Sequence, residues 1–133
     1  LGVAAFRLAV TDRCIARELS PRKLERLRAI ARESAEQSER GIVPAVEGPA
    51  PLGSVFSDGV VLLAEREGGA RLRDLAPASA VLIGPEGGFS PAELEAAGRA
   101  GVALAGLGPR ILRARTVAAA VAAAILSRTG DFA

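Results

Sequence analysis

Apolar positions along the chain fall into short runs of period two, or unbroken runs of three to five, separated by stretches of period near 3.6. That rhythm predicts strands alternating with helices. Phe6, Leu8 and Val10 alternate with Arg7 and Ala9, which predicts a half-buried strand over about 4–10. Ser20-Pro21 predicts a helix start, with Leu24, Leu27, Ile30, Ala31 and Ala35 on the core face and Gly41 as the stop. Ile42–Val46 reads as a strand that Pro44 keeps at a sheet edge, and 47–54 as a connection rich in Pro and Gly. Val60–Ala64 reads as a buried strand, followed by a polar loop to Ala70 and a short segment through Leu75. Val81-Leu82-Ile83 predicts a short strand covered on both faces. Ser90-Pro91-Ala92-Glu93 then sets a helix start, with Ser90 as N-cap, Pro91 in the first position and Glu93 closing a capping box. That helix is expected to run to about Arg99, with a last strand over 102–107. Thr116 is expected to cap an Ala-rich helix reaching Arg128. Leu1-Gly2-Val3 reads as the end of a helix that begins outside the sequence given.

Strands alternating with helices predict an α/β fold, a mostly parallel sheet flanked by helices, in one domain over 1–133. Half of the 133 residues are hydrophobic but only four are aromatic, all Phe, so the core must be aliphatic. The net charge is +2, and of the 17 basic residues only Lys23 is a lysine. Guanidinium suits phosphates and base edges, although an Arg-favouring codon bias gives the same composition. The basic face of the first helix, Arg22, Lys23, Arg26, Arg28 and Arg32, is diluted by Glu25, Glu33 and Glu36 and fits a solvated surface. With no His and the single Cys14, an intrachain disulfide, a metal site built on those ligands and a Ser-His-Asp triad are all excluded. The lone thiol points to a reducing compartment, read here as cytoplasmic. Val117–Leu126, the longest apolar run, has ten residues and is too short to span a bilayer, so no membrane partner is expected.

The candidate chemistry centres on residues 81–91. Gly84, Gly87 and Gly88 let the backbone turn sharply and let another molecule lie against it, at the carboxyl end of a strand where open α/β sheets place ligands. Glycines that only punctuate a turn explain the same spacing. No Lys-Ser or Lys-Thr follows as a Walker loop needs, and no G-x-G-x-x-G is present. Glu86 would repel a phosphate and favours a cationic or neutral ligand.

Three stretches in order carry a resemblance. Glu36-Gln37-Ser38-Glu39-Arg40 with Pro44, Ile83-Gly84-Pro85-Glu86-Gly87-Gly88-Phe89-Ser90 with Glu93, and Leu107-Gly108-Pro109-Arg110-Ile111-Leu112-Arg113 resemble the bacterial ribosomal RNA small-subunit (uracil-N3) methyltransferases, the RsmE family of the SPOUT superfamily. The opening Leu1-Gly2-Val3 and Thr11-x-Arg13 match as well, so the resemblance covers nearly the whole chain. It implies a carboxyl-terminal deep trefoil knot, S-adenosylmethionine as cofactor, a homodimer, and ribosomal RNA or the small subunit as partner. It implies no metal. It also implies that the family's amino-terminal PUA-like β-barrel and the catalytic domain's first strand and helix lie outside this sequence.

The resemblance assigns cofactor contacts to Leu63, Ile83, Gly84, Pro85, Glu86, Gly87, Gly88, Leu107, Gly108, Ile111, Leu112 and Thr116. It assigns catalytic roles to Arg110, Arg113 and Arg40, and RNA contacts to Arg13, Gln37 and Arg115. The alternative role for Arg110 and Arg113 is to tie the knot together through backbone carbonyls. In one place the chain departs from the pattern: Arg113-Ala114-Arg115-Thr116 stands where the family usually reads Arg-x-Glu-Thr. Two rival readings follow, an RNA-binding or ribosome-assembly module of the same fold that has lost turnover, and a SPOUT methyltransferase acting on another RNA.

Overall fold

The computed structural model describes residues 2–57, 59–63, 70–75, 78–108 and 112–129. Within them lie β1 (Ala5–Val10), α1 (Pro21–Gln37), β2 (Ala45–Pro51), β3 (Val60–Leu63), β4 (Ala70–Arg71), β5 (Ala80–Ile83), α2 (Pro91–Arg99), β6 (Ala103–Gly106) and α3 (Ala114–Thr129). Every strand pairing is parallel: β1 with β2, and a four-stranded sheet in the order β4-β6-β3-β5. The expected α/β architecture forms, with the parallel strands divided between two sheets where one was expected.

The central strand β3 is buried at all four positions, and its side chains alternate between two cores, as the period of two requires. Val60 and Leu62 join Leu52, Phe89, Ala97 and Val102, the layer that holds α2. Val61 and Leu63 join Leu72, Ala105, Val117 and Val121, the layer that holds α3. Both helices therefore read the same strand from opposite sides. Ala9 of β1 reaches the first core, which joins the β1–β2 pair to the larger sheet.

Several expectations are corrected. β5 is an edge strand rather than one covered on both faces: it pairs with β3 alone among the described strands, and Ile83 is 37% exposed. β2 begins at Ala45, later than expected, and runs through the stretch read as a connection, because its backbone follows β1 from Ala5 to Val10. The pairing shifts at Leu8, where Gly48 and Pro49 together stand opposite one residue, a β-bulge. On α1 only Ala31 and Ala35 are buried, while Leu27 and Ile30 are exposed, so the inward face is narrower than the apolar periodicity implied. Residues 2–4 precede β1 without helix.

α1 and α2 end in the same motif. In α2, Gly101 takes the left-handed conformation (φ 72°), its N–H reaches the Gly98 carbonyl, and Val102 N–H reaches that of Ala97. Val102 and Ala97 also share a core, the apolar contact that accompanies this stop. In α1, Glu39 occupies the left-handed position (φ 54°), with Glu39 N–H on the Glu36 carbonyl and Arg40 N–H on that of Ala35. The left-handed stop thus falls at Glu39, two residues before Gly41.

Two substitutions test these backbone readings. Glu39→Gly relieves the left-handed strain but loosens the unfolded chain; the net gain is about 0.5–1 kcal/mol. Its thermal midpoint should rise by about 2–4 °C, and an unchanged or lower midpoint contradicts the assignment. A Cβ at Gly48 (φ 111°) would stand 2.6 Å from the Leu8 carbonyl oxygen. Gly48→Ala should therefore cost roughly 2–3 kcal/mol in urea unfolding, and a loss under 1 kcal/mol would mean the bulge yields easily.

Candidate functional site

Parallel pairing in register brings three strand ends together. Leu63, the last residue of β3, pairs with Ile83 of β5 on one side and with Ala105 of β6 on the other. Two strand spacings therefore separate Ile83 from Ala105, about 10 Å. The loop beginning at Gly84 and the loop beginning at Leu107 leave the sheet on either side of the buried end of β3. Leu63 is part of the α3-side core, and Leu107 and Leu112 pack against that core.

The β5–α2 loop is a turn closed by the Gly88 N–H on the Pro85 carbonyl at 2.8 Å. Gly88 has φ 69°, and a Cβ there would meet nothing within 4 Å; Gly108 has φ 127° and equally open surroundings. Both glycines thus border empty space, and both carry backbone conformations that side chains disfavour. Gly84 has the opposite role, since a Cβ there would stand 2.9 Å from the ring of Phe89, which is buried. The capping box of α2 forms as expected, Ser90 Oγ accepting from Glu93 N–H and Glu93 Oε2 from Ser90 N–H.

A third element, the tip after β1, packs on this loop. Arg13 Nη1 donates to the Gly87 carbonyl at 2.7 Å. Asp12 N–H donates to Glu93 Oε1 at 2.8 Å, and Ser90 Oγ donates to Asp12 Oδ2 at 2.5 Å. Glu93 is buried, and the two N–H donors bind different oxygens of its carboxylate. Arg17 Nη2 holds the Asp12 carbonyl at 2.8 Å, and the buried Thr11 donates its hydroxyl to Cys14 Sγ at 3.2 Å. Sequence reasoning gave Glu93 a capping role only; its reach to Asp12 joins residues 81 apart and leaves no local signal. An open groove of about 570 Å³ lies beside this tip, between Val10, Arg17, Pro49, Phe56 and Ala92, and no described residue of the two glycine loops lines it.

The other candidates are distributed. Arg113 and Arg115 are exposed at the start of α3, which begins at Ala114: the Arg113 carbonyl accepts from Thr116 N–H (2.8 Å) and Val117 N–H (2.9 Å). Thr116 lies inside the first turn and is not the cap, because Ala114 and Arg115 extend the helix toward its N-terminus. Arg40 lies at the opposite end of β1, where its Nη2 donates to the Val3 carbonyl at 3.1 Å; Gln37 is the last residue of α1, three positions earlier. The five steps from Ala5 to Val10 separate that end from the Asp12–Arg13 tip by roughly 16 Å. Arg110 and Ile111 lie outside the described residues. Among the described residues there is no group of three or more His, Cys, Asp or Glu that could hold a metal, and no helix is long and apolar enough to cross a membrane.

A family model described as an RNA methyltransferase domain matches residues 1–127. The chain is 35% identical over 139 residues to the ribosomal RNA small subunit methyltransferase E of Mycobacterium bovis, covering 93% of this chain and 53% of that protein. It is 38% identical over 128 residues to the enzyme of that name from Synechocystis, covering 87% and 42%. The chain therefore spans about half the length of the curated relatives it matches. A putative methyltransferase from Legionella pneumophila, solved with the cofactor SAM, superposes with a TM-score of 0.84 at 26% identity, over 96% of this chain and 56% of that one. The ribosomal RNA small subunit methyltransferase E of Neisseria gonorrhoeae, bound to S-adenosyl methionine, gives 0.81 at 29% identity, over 96% and 55%.

Arg115 puts a positive charge in a first turn that holds no acidic residue among those described, against the positive end of the helix dipole. Arg115→Glu should stabilise the chain by about 0.5 kcal/mol, the low end of such effects because the position is exposed. The rise in thermal midpoint should largely vanish in 1 M salt, where the screening length falls to about 3 Å. A gain that survives high salt would point to a packing cause.

Proposed function

The chain belongs to the RNA methyltransferase domain family, and from that premise we propose that it methylates N3 of a uridine in 16S small-subunit ribosomal RNA, using S-adenosylmethionine. The observation that supports the reading is that two glycine-bearing loops leave strand ends on either side of the buried end of β3, those strand ends about 10 Å apart. That width suits a nucleoside lying across Leu63. The residues fit the cofactor in kind: Gly88 and Gly108 border open space and offer backbone groups, Leu63, Leu107 and Leu112 supply an apolar floor, and exposed Glu86 suits a cation. Ile83, Gly84, Pro85 and Gly87 complete one wall, and Ile111 and Thr116 belong to the other. The relatives named ribosomal RNA small subunit methyltransferase E supply the substrate class.

S-adenosylmethionine, when bound, supplies an activated methyl group on a sulfonium. What remains for the protein is the nucleophile. Uracil N3 carries a proton and attacks poorly until it is lost, and the resulting charge sits largely on O2 and O4. Guanidinium groups aimed at those oxygens stabilise that anion as oxyanion-hole donors do. Arg113 and Arg110 hold this role, Arg113 from the mouth of the second loop. Holding the base against the cofactor provides the rest, because positioning alone removes much of a bimolecular barrier. Arg115 and Gln37 contact RNA in this reading.

Within one chain Arg40 lies at the far end of β1 from the glycine loops, so it joins the site only from a second copy. A homodimer follows, and the exposed Ala118 and Ala119 of α3 offer it a close-packing face. The deep trefoil knot belongs to the same reading. It is supported by β6, which is inserted between β3 and β4 although it follows both in sequence, before the chain continues into α3. The chain is then the catalytic domain of a longer enzyme, working on ribosomal RNA in the cytoplasm.

Calorimetry with S-adenosylmethionine and single-turnover methylation of small-subunit RNA test the proposal together. Arg113→Ala and Arg110→Ala should each slow transfer by about 10²–10³-fold, the loss of roughly 2.7–4 kcal/mol seen for one oxyanion donor. Cofactor affinity should change less than about threefold. Equal loss of both quantities assigns these arginines a structural role, and absence of cofactor binding by the wild-type chain favours an RNA-binding module instead.

A further inference from the structure

We infer that Arg13, with Glu93 behind it, is a positioning residue for the cofactor loop, a role that rests on the methyltransferase reading above. Three of the five residues from Gly84 to Gly88 are glycine, so the loop has few side chains with which to hold itself. Its shape has to be imposed from outside. The peptide unit joining Gly87 to Gly88 is pinned at both ends: its carbonyl accepts from Arg13 Nη1 at 2.7 Å, and its N–H donates to the Pro85 carbonyl at 2.8 Å. Fixing that plane fixes the direction of the groups on either side of it.

The stem of Arg13 packs on the same residue. A Cβ at Gly87 would stand 3.3 Å from Arg13 Cβ and 3.4 Å from its Cδ, so the bare backbone of Gly87 admits the arginine that holds it. Arg13 is in turn held by its neighbour. Asp12 is tied through its N–H to Glu93 Oε1 and through its carboxylate to the Ser90 hydroxyl, while Glu93 Oε2 holds Ser90 N–H. One buried carboxylate thereby locks the β1 tip to the far side of the glycine loop. Removing it strands two N–H donors, whereas removing the Arg13 guanidinium releases only the Gly87 carbonyl. The two substitutions are therefore separable: Glu93 couples to folding, and Arg13 couples to the loop.

A loop that is ordered before binding gives up less conformational freedom when the ligand arrives. In the 133-residue chain, Arg13→Ala should raise the S-adenosylmethionine Kd about 5- to 10-fold, what one hydrogen bond of ordinary net strength provides. The same variant should speed amide hydrogen exchange at Gly88 in the ligand-free protein by a similar factor, with a thermal midpoint within about 2 °C of wild type. Arg13→Lys should recover part of both. Glu93→Gln, which keeps one acceptor oxygen, should fall between wild type and Glu93→Ala in exchange at Ser90. Unchanged exchange and cofactor affinity in Arg13→Ala, with weaker RNA binding and a shallower salt dependence, would make Arg13 a phosphate contact and overturn the inference. If the wild-type chain binds no S-adenosylmethionine, the methyltransferase reading fails by itself. Exchange at Gly88 still decides the brace, faster in Arg13→Ala supporting it and unchanged overturning it.

Discussion

The structure depends on the pairing of β3 with a parallel neighbour on each edge. Leu62 at its centre is fully buried, and the four residues Val60–Leu63 send alternate side chains into the two cores that hold α2 and α3. Parallel register then leaves no freedom in where the following loops emerge. Leu63 meets Ile83 on one side and Ala105 on the other, so both glycine loops leave the same end of the sheet. A slip of one residue would turn Leu62 and Leu63 into the wrong cores, which makes the register costly to lose. The chemistry of the site thus inherits its spacing from hydrophobic packing several residues away.

Much of this was legible along the chain because its signals are local. Helix α2 begins and ends where the Ser90 cap, Pro91 and Glu93 place it, and Gly101 closes it. The runs at 60–63 and 103–106 are strands as their periodicity implies. What escaped was set by partners distant in sequence. β2 starts late and absorbs Gly48 and Pro49 because it follows β1, which no local rule could announce. β5 is at an edge because of strand order, and an apolar triplet reads alike at an edge or at the centre. Gly41 drew the stop of α1 on composition, yet Glu39 adopts the left-handed turn.

The site divides in the same way. Its glycines were visible as a motif, whereas Leu63, Leu107 and Leu112 were named through the resemblance alone and pack in or against the α3-side core. Arg13 stood out through the Thr11-x-Arg13 match, which the resemblance reads as an RNA contact. Its bond to the Gly87 carbonyl links residues 74 apart in sequence and belongs to tertiary structure alone. Arg40 and Arg113 were grouped by motif but lie toward opposite ends of the molecule, a separation that a single chain does not close. Charge in this chain is thus also turned inward, where the Arg13 guanidinium holds the backbone carbonyl of a glycine loop with few side chains of its own.

If the two glycine loops and the end of β3 form one site, they respond together in a resonance-by-resonance titration of the isotopically labelled chain with S-adenosylmethionine. Joint perturbation of Leu63, Gly84–Gly88 and Leu107–Gly108 along one saturating curve, with Gly53 and Glu39 unmoved, is the result expected. Perturbation confined to one loop, or centred on Gly53 and Phe56 in the groove beside the β1 tip, would contradict it.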